Sequence, residues 1–201
     1  MKITSVEPIH LRVPVVEAIP DGTLDVLIVK IHTDEGITGV GEVTSQSYVC
    51  KACFEAPRSA ARRHGLTSIL VGENPLEVEG LWEKMYSETN RYGRRGAAIH
   101  AISGADIALW DIKGKTYGRP VHELLGGPTR EKARLYTHLS GSTPTELAAQ
   151  AKMQIAAGFT AVRLYPFGDF GQSDFEEGRG LENMSFTAMQ RNAVERVGAV
   201  R

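Results

Sequence analysis

The run of residues from Ala101 to Gly126 constrains the fold of this chain more than any other part of the sequence. In and just before this run, small and aliphatic residues recur at spacings of three and four, which predicts a helix with one apolar stripe. The stripe consists of Ala97, Ala98, Ala101, Ile102, Ala105, Ala108, Leu109 and Ile112. Because most of these side chains are small, another backbone can approach the helix closely. The breaker residues from Gly118 to Pro120 predict where the helix ends.

Two acids, Asp106 and Asp111, fall off this stripe and are available as hydrogen-bond acceptors. The same run carries Trp110 and the pair Gly114–Lys115 at fixed offsets from them. In this pattern the chain resembles the N-terminal signature of the mandelate racemase and muconate-lactonising branch of the enolase superfamily. Its one clear departure is Ala105, where that branch usually has a larger aliphatic residue.

The overall composition excludes several classes of function. Hydrophobic residues make up 42% of the chain, charged residues 23%, and the net charge is -1, which excludes a basic nucleic-acid-binding protein and a disordered acidic tail. No apolar stretch approaches the roughly 20 residues needed to cross a bilayer. The N-terminus runs directly into a strand pattern without a signal peptide. We therefore expect a cytoplasmic protein that binds neither nucleic acid nor membrane.

The two cysteines, Cys50 and Cys53, form a single CxxC pattern. A redox pair would need a strand before it and a helix N-terminus at the first cysteine, whereas a Ser/Gln/Tyr segment precedes this pair. A zinc site would need two more ligands, and only His64 is close in sequence. We therefore expect two plain thiols.

Residues 1–43 predict a three-stranded antiparallel meander. The predicted strands lie within residues 1–13, 25–32 and 37–43, and a turn joins the last two. Gly39 and Gly41 alternate in the third strand, but no third glycine and no helix start follow them. A phosphate-binding loop is therefore disfavoured, and we expect these glycines to let another element approach the strand closely.

From Ser59 onward the pattern becomes helical. It predicts a helix over residues 60–70 and a second helix that opens at Asn74–Pro75, with Pro in its first turn. The apolar stripe of this second helix is Leu76, Val78, Leu81, Trp82 and Met85. The signature helix follows. Three strands followed by three helices predict an α+β capping domain over residues 1–126.

Over residues 127–201 the pattern alternates between strand and helix, which predicts the beginning of a (β/α) TIM-type barrel. The predicted strands cover residues 132–138 and 159–165. One helix opens at Thr143–Pro144 and ends at Gly158, and another starts near Ser185. A complete barrel needs roughly 250 residues, and about 75 follow Gly126. We therefore expect a barrel truncated after about two β/α units.

Reactive groups of a (β/α) barrel project from the carboxyl ends of its strands. This rule selects His138 after the first predicted barrel strand, and Arg163 and Tyr165 at the end of the second. Arg163 and Tyr165 are two residues apart on a strand, so both point to one face. His138 either faces the barrel mouth as a substrate-binding residue or is a hydrogen-bonded interior histidine.

The resemblance implies abstraction of the proton α to a carboxylate, with Mg²⁺ stabilising the enediolate and a basic side chain taking the proton. Relatives most often place Lys-x-Lys at the end of the second barrel strand, whereas this chain has Arg163-Leu164-Tyr165. One interpretation makes Arg163 and Tyr165 a catalytic pair, as in some sugar-acid dehydratases of the superfamily. In another, they only bind substrate while a His–Asp pair on later strands moves the proton. In the third, Arg163 forms a structural ion pair and Tyr165 lines a wall.

The resemblance also implies that two loops of the capping domain cover the barrel mouth and determine substrate specificity. By position these loops are residues 15–22 and 44–53. The first contains Glu17 and Asp21, and the second contains Gln46 and Tyr48, so these four are candidate substrate-binding residues. Each can also be an ordinary solvated loop residue. The long segment 170–178 is either a lid or a disordered excursion.

In this family the Mg²⁺ ligands stand at the ends of the third, fourth and fifth barrel strands, beyond residue 201. Acids on the loop over residues 169–177 do not recreate three facing carboxylates, so we assign no metal ligand within the chain. The parent protein is expected to dehydrate a sugar acid in preference to racemising, epimerising or cycloisomerising one, and the chain alone to be inactive.

A truncated, non-catalytic protein that binds a ligand or a partner subunit is the rival interpretation. An incomplete barrel exposes sheet edges and apolar helix faces, so we expect association into a homo-oligomer.

Overall fold

A computed structural model describes residues 1–15, 25–59, 64–167 and 185–201. The chain divides into two compact units. The first unit holds Met1–Pro14 and the described residues from position 25 to Thr129, and the second holds Val15 and the described residues from Arg130 to Arg201. Within these ranges no helix is long and apolar enough to cross a lipid bilayer.

A three-stranded antiparallel sheet opens the first unit, as the sequence predicts. Its strands, in spatial order, are β1 (Ile3–Leu11), β2 (Val26–Thr33) and β3 (Thr38–Val43). Successive side chains of a strand point to opposite faces, and this alternation buries Leu27, Val29 and Ile31 of the central strand completely. Gly36, at a φ of 77°, makes the turn between β2 and β3.

The helices described in the first unit pack around this sheet. They are α1 (Ser47–Glu55), α2 (Leu66–Leu70), α3 (Val78–Glu88), α4 (Ala97–Tyr117) and α5 (Val121–Leu124). The predicted signature helix is α4, and nearly all of its apolar stripe is buried in the core that the sheet shares with α1, α2 and α3. Gly118 follows α4 in the left-handed conformation, which confirms the predicted end of the helix.

Two glycines of β3 let the sheet touch the backbone of α4. A Cβ atom at Gly39 would overlap the carbonyl oxygen of Ala108, and one at Gly41 would overlap the carbonyl oxygen of Gly104. Gly104 itself is needed, since a Cβ there would overlap the side chain of Val43. The prediction that these strand glycines admit another element is confirmed.

Asp111 joins α4 to the exposed edge of the same strand. Its Oδ2 accepts hydrogen bonds from the Val40 backbone N–H at 2.9 Å and from the Lys115 ammonium at 2.6 Å. Lys115 also donates to the Thr38 carbonyl at 2.8 Å. Edge strands present unpaired backbone groups, and this contact satisfies two of them. Asp111 is thus the hydrogen-bond acceptor that the sequence predicts.

The prediction of a loop over residues 44–53 is wrong, because Ser47–Glu55 forms α1. Ser47, Cys50 and Phe54 lie three and four residues apart and are buried on one face of this helix. Only Phe54 among them is strongly apolar, and no side chain caps the N-terminus of the helix. The apolar periodicity was therefore too weak to reveal the helix.

The predicted helix over residues 60–70 is confirmed for Leu66–Leu70, which forms α2, and is wrong for His64 and Gly65; residues 60–63 lie outside the described residues. Gly65 is extended and donates its N–H to the Ala56 carbonyl at 2.8 Å. A Cβ at Gly65 would overlap the Phe54 carbonyl oxygen, so the chain passes α1 too closely to be helical there.

The second predicted helix starts later than the Asn74–Pro75 pair that was predicted to open it. Asn74 instead forms a turn, accepting the Leu76 N–H at 3.2 Å on its side-chain oxygen, and α3 begins at Val78. The apolar stripe is confirmed, because Val78, Leu81 and Met85 are buried and Leu76 and Trp82 pack against the same core.

The second unit alternates strands and helices. Its elements are β4 (Thr137–His138), α6 (Pro144–Ala156), β5 (Val162–Arg163) and α7 (Phe186–Val200). The two strands pair in parallel, which is the arrangement expected at the beginning of a barrel. Both strands are shorter than the sequence predicts. Residues 131–136 are exposed and lie outside the ladder.

The N-terminus of α6 is closed by a capping box. The Thr143 hydroxyl accepts the Glu146 N–H at 3.2 Å, and the Glu146 carboxylate accepts the N–H groups of Thr143 and Ser142 at 3.3 and 2.8 Å. Pro144 occupies the first helical position. These contacts confirm the predicted start of the helix, because they satisfy N–H groups that have no partner within it.

A small apolar core holds the second unit together. Leu139, Leu147 and Ala151 are buried, with Val162, Leu164 and Val200 packed against them. Arg196 of α7 is 2% exposed and donates from Nη1 to the Ser142 carbonyl at 3.0 Å and from Nη2 to the Gly141 carbonyl at 2.9 Å. Its planar guanidinium therefore fixes the chain that follows β4.

Candidate functional site

The parallel pairing of β4 and β5 places His138 directly opposite Arg163. Backbone hydrogen bonds hold this register, with the Leu139 N–H donating to the Arg163 carbonyl at 2.7 Å. Both residues stand at the carboxyl ends of neighbouring parallel strands, which is where (β/α) barrels place their reactive groups. Two residues separated by more than twenty positions in the sequence thus meet at one edge of the sheet.

The side chains of Arg163 and His138 contact each other directly. Arg163 Nη1 lies 3.3 Å from His138 Nε2. An arginine has only donors, so a hydrogen bond here requires Nε2 to be the acceptor. His138 Nε2 is therefore the acceptor in this contact.

Arg163 also reaches the third predicted site residue. Its Nη2 donates to the Tyr165 hydroxyl oxygen at 3.3 Å, and its guanidinium carbon lies 5.1 Å from the centre of the Tyr165 ring. The rings of His138 and Tyr165 meet edge to face with centroids 6.2 Å apart. The structure thus brings Arg163, Tyr165 and His138 into one cluster, with Arg163 between two acceptors.

A fourth member of this cluster, Tyr136, was missed at the level of the sequence. Its ring stacks on His138 with centroids 5.7 Å apart and an interplanar angle of 13°. The Tyr136 ring covers one side of the imidazole. Because Tyr136 is 54% exposed, the opposite face of its own ring remains accessible to solvent. The available signal was its spacing of two residues from His138, which puts both side chains on the same side of an extended chain.

The chemical capacity of this cluster follows from its charges. Arg163 is a permanent cation and can bind a carboxylate in a bidentate manner. Because Arg163 donates to Tyr165, the phenol oxygen is an acceptor in that contact, and its own proton is directed elsewhere. The cluster therefore combines an anion-binding group with two groups that can exchange protons.

The candidate residues of the first unit lie on or beside α1. Gln46 precedes the helix and is exposed, and Tyr48 in its first turn is 74% exposed. Ser47 between them is buried, and its hydroxyl donates to the Asp25 carbonyl at 2.8 Å, so it has a structural role. Glu17 and Asp21 lie outside the described residues, as does the predicted lid over residues 170–178.

The described residues do not fit a divalent metal ion. No group of three or more His, Cys, Asp or Glu side chains in the described ranges is arranged to hold one. Cys50 and Cys53 are free thiols, and burial raises the pKa of each, which disfavours the thiolate form. His64 does not join them, because its ring contacts Ser68 and Glu88 at 3.2 and 3.3 Å.

Comparison with known proteins places these features in a family context. The family model described as mandelate racemase / muconate lactonizing enzyme, N-terminal domain, matches residues 2–126. A D-galactonate dehydratase from Ralstonia pickettii is 38% identical over 138 residues, which is 69% of this chain and 34% of the relative.

Two solved structures share the fold at similar identity. A member of the enolase superfamily from Salmonella Typhimurium has a TM-score of 0.75 at 29% identity, covering 100% of this chain and 51% of that one. An enolase from Pantoea ananatis with bound D-gluconate and Mg has a TM-score of 0.65 at 32% identity, covering 82% and 36%. The chain therefore spans about a third to a half of the length of these proteins.

Proposed function

This chain belongs to the mandelate racemase / muconate lactonizing enzyme family, and we propose that it is part of an enzyme that dehydrates a sugar acid. The observation that carries the proposal is the Arg163 cluster, in which one cation contacts an imidazole and a phenol at the carboxyl ends of two parallel strands. Similarity to D-galactonate dehydratases supports the choice of substrate class.

In the proposed reaction the proton on the carbon α to the carboxylate is removed, and the hydroxyl group on the β carbon takes up a proton and leaves as water. Tyr165, held by Arg163, takes the α-proton on its phenol oxygen. Arg163 stabilises the phenolate and binds the substrate carboxylate. His138, with Nε2 facing Arg163, orients the guanidinium and contacts substrate. Racemisation or cycloisomerisation uses the same first step, and the similarity to D-galactonate dehydratases favours dehydration.

We also propose that the complete enzyme depends on Mg²⁺. A relative that was solved with D-gluconate also contains Mg, and the family resemblance places the metal ligands on later barrel strands. The described residues of this chain do not form a cation site. We therefore propose that the 201 residues alone do not turn over a sugar acid.

Association is the second part of the proposal. Large apolar side chains of the second unit are exposed, among them Met153, Ile155 and Val194, each more than 60% accessible. Exposed apolar surface of this kind favours burial against another chain. We propose a homo-oligomer, located in the cytoplasm.

The experiment that tests the function is a screen of acid sugars with the complete enzyme in the presence of Mg²⁺. We expect a 2-keto-3-deoxy acid to form from at least one aldonate, and the α-proton to exchange with solvent deuterium. Addition of a chelator should abolish both signals. Absence of product and of exchange across the whole set of aldonates would overturn the proposal and favour a non-catalytic, ligand-binding protein.

A further inference from the structure

The buried residue of α7 is a cation. Every residue of this helix is described, and Arg196 alone among them is buried. Burial of a cation is unfavourable unless its donors are hydrogen-bonded. A methionine or leucine at this position would fill the same space without that penalty. The arginine therefore has a role in the second unit that apolar packing does not fulfil.

The hydrogen bonds of Arg196 go to the loop between β4 and α6, residues 139–143. Nη1 donates to the Ser142 carbonyl at 3.0 Å and Nη2 to the Gly141 carbonyl at 2.9 Å. Nε has no hydrogen-bond partner among the described residues. The donors of a guanidinium form a rigid planar fork, whereas an ammonium is a point charge on a flexible stem. The fork therefore restrains both the position and the direction of the loop backbone.

Helix α6 holds the same loop from its other end. The Glu146 carboxylate accepts the N–H groups of Ser142 and Thr143 at 2.8 and 3.3 Å. A Cβ atom at Gly141 would lie 3.1 Å from the backbone nitrogen of Leu147, so the loop runs close to the first turn of α6. Helix α6 therefore holds N–H groups of the loop, and α7 holds its carbonyl groups.

The strand pair that this loop follows is short. Strands β4 and β5 have two residues each, and the Leu139 N–H closes their pairing by donating to the Arg163 carbonyl at 2.7 Å. Residues 131–136, which precede β4, are exposed and lie outside the ladder. The restrained backbone next to His138 therefore lies on its carboxyl side, where Arg196 holds the loop.

We propose that Arg196 is a positioning residue that keeps His138 in register with Arg163 by holding the carbonyl groups of the loop. Only three positions separate His138 from Gly141, so a displaced loop displaces the end of the strand. This structural part of the inference depends only on contacts within the second unit. Its consequence for catalysis rests on the function proposed above, in which Arg163 holds Tyr165.

Arg191 provides a matched control on the same helix. It is also an arginine of α7, but it is exposed, and the hydrogen bonds to the loop carbonyls come from Arg196. Methionine at either position removes one positive charge from α7 and leaves a long unbranched side chain. An effect of charge or of helix propensity would therefore appear in both variants.

The first test uses the 201-residue chain, so that catalysis is not needed. We expect Arg196→Met to speed amide exchange at Leu139 by about tenfold or more beyond any change at Ala151 within α6. It should also shift the nitrogen resonance of His138 Nε2, because the contact with Arg163 is lost. Arg191→Met should change neither signal. If Arg196 only docks α7, exchange will rise within α7 while Leu139 and His138 stay as in the unmutated chain, and the proposal is overturned.

Arg196→Lys is the second variant, and it keeps the test valid if Arg196→Met does not fold. It retains the buried charge and a donor but loses the planar fork. We expect exchange at Leu139 to be faster than in the unmutated chain and slower than in Arg196→Met. Exchange at the unmutated rate in Arg196→Lys would overturn the proposal, because the fork would then not be what holds the loop.

A kinetic test in the complete enzyme separates this proposal from the proposed function. We expect Arg196→Met to lower kcat by roughly tenfold to a hundredfold, the scale of a small misplacement of reacting groups, with KM less affected. Arg191→Met should leave both constants unchanged. An unchanged kcat in Arg196→Met beside faster exchange at Leu139 would overturn the link to catalysis alone. Absence of any turnover in the unmutated enzyme would overturn the proposed function, whatever the exchange rates show.

Discussion

A methyl group on Gly41 of β3 would overlap the backbone carbonyl oxygen of Gly104 in α4. The strand and the helix therefore meet backbone to backbone, with no side chain between them. Gly39 makes the same kind of contact one helical turn further along, at Ala108. This close approach lets the signature helix lie against the sheet over most of its length and explains why its stripe is made of small residues.

Gly41→Ala should destabilise the first unit by about 3 kcal/mol, because the added carbon meets rigid backbone and either the strand or the helix must move. Both tryptophans, Trp82 and Trp110, lie in this unit. Their fluorescence during urea unfolding therefore measures its stability. Gly80→Ala is the matched control, since nothing lies within 4 Å of the added Cβ in α3. It should stabilise the unit by about 0.5–1 kcal/mol. Equal effects of the two substitutions would contradict the close contact.

Asp111→Ala should lower the free energy of unfolding of the first unit by about 1–2 kcal/mol. The substitution leaves the Val40 N–H and the Lys115 ammonium without their shared acceptor, and hydrogen bonds to a charged group are stronger than neutral ones. Asp111→Asn retains one carbonyl oxygen for Val40 and should recover part of the loss. Faster amide exchange at Val40 in the alanine variant would show that the edge of β3 has been uncovered.

Asp106 lies on the same helix as Asp111, but its charge is expected to destabilise the folded state. Burial, and next the charge of Glu79, raise its pKa above the ordinary value for an aspartate. The folded state therefore binds this proton more tightly than the unfolded state does, so stability falls as pH rises from the unfolded pKa, about 3.9, through the folded one. Asp106→Asn should increase the urea midpoint at pH 7 and leave it nearly unchanged at pH 3. The same increase at both pH values would mean that the charge of Asp106 is not the cause.

The parts of the fold that were predicted from the sequence are those with strong local signals. The stripe of α4, the alternation in β2 and the Thr143–Pro144 cap each depend on residues close together in the chain, and each is confirmed. Helix α1 was missed because two of its three buried residues are Ser47 and Cys50, which carry little hydrophobic signal. The late start of α2 depends on the approach of Gly65 to Phe54, a tertiary contact that local periodicity does not encode.

The residues of the candidate site were likewise predicted from the sequence only in part. Strand-end geometry selected Arg163, Tyr165 and His138 from the sequence, and the structure brings them together. Their catalytic and binding roles stay predictions. Tyr136 was missed because its stacking on His138 depends on ring orientation. Contacts between distant segments are set by packing, which a single sequence reveals only through its periodicity.

Thr143→Ala should destabilise α6 by about 1 kcal/mol, since it removes the side-chain half of the capping box. Thr143→Ser keeps the hydroxyl and should be nearly neutral. Neither tryptophan lies in the second unit, so amide exchange at Glu146 and Leu147 is the suitable measurement. We expect faster exchange in the alanine variant alone, and an equal rise in the serine variant would contradict a role for the hydroxyl.

Tyr165→Phe in the complete enzyme tests the proposed proton acceptor. The substitution keeps the ring that packs on Arg163 and removes only the oxygen to which Arg163 donates. If Tyr165 takes the α-proton, kcat should fall by about 10² or more, the usual scale for a general base, with little change in stability. If Tyr165 only lines the pocket, KM should rise and kcat should stay the same. Solvent deuterium exchange at the α-carbon decides between these outcomes, because exchange at the unmutated rate in Tyr165→Phe would mean that another residue removes the proton.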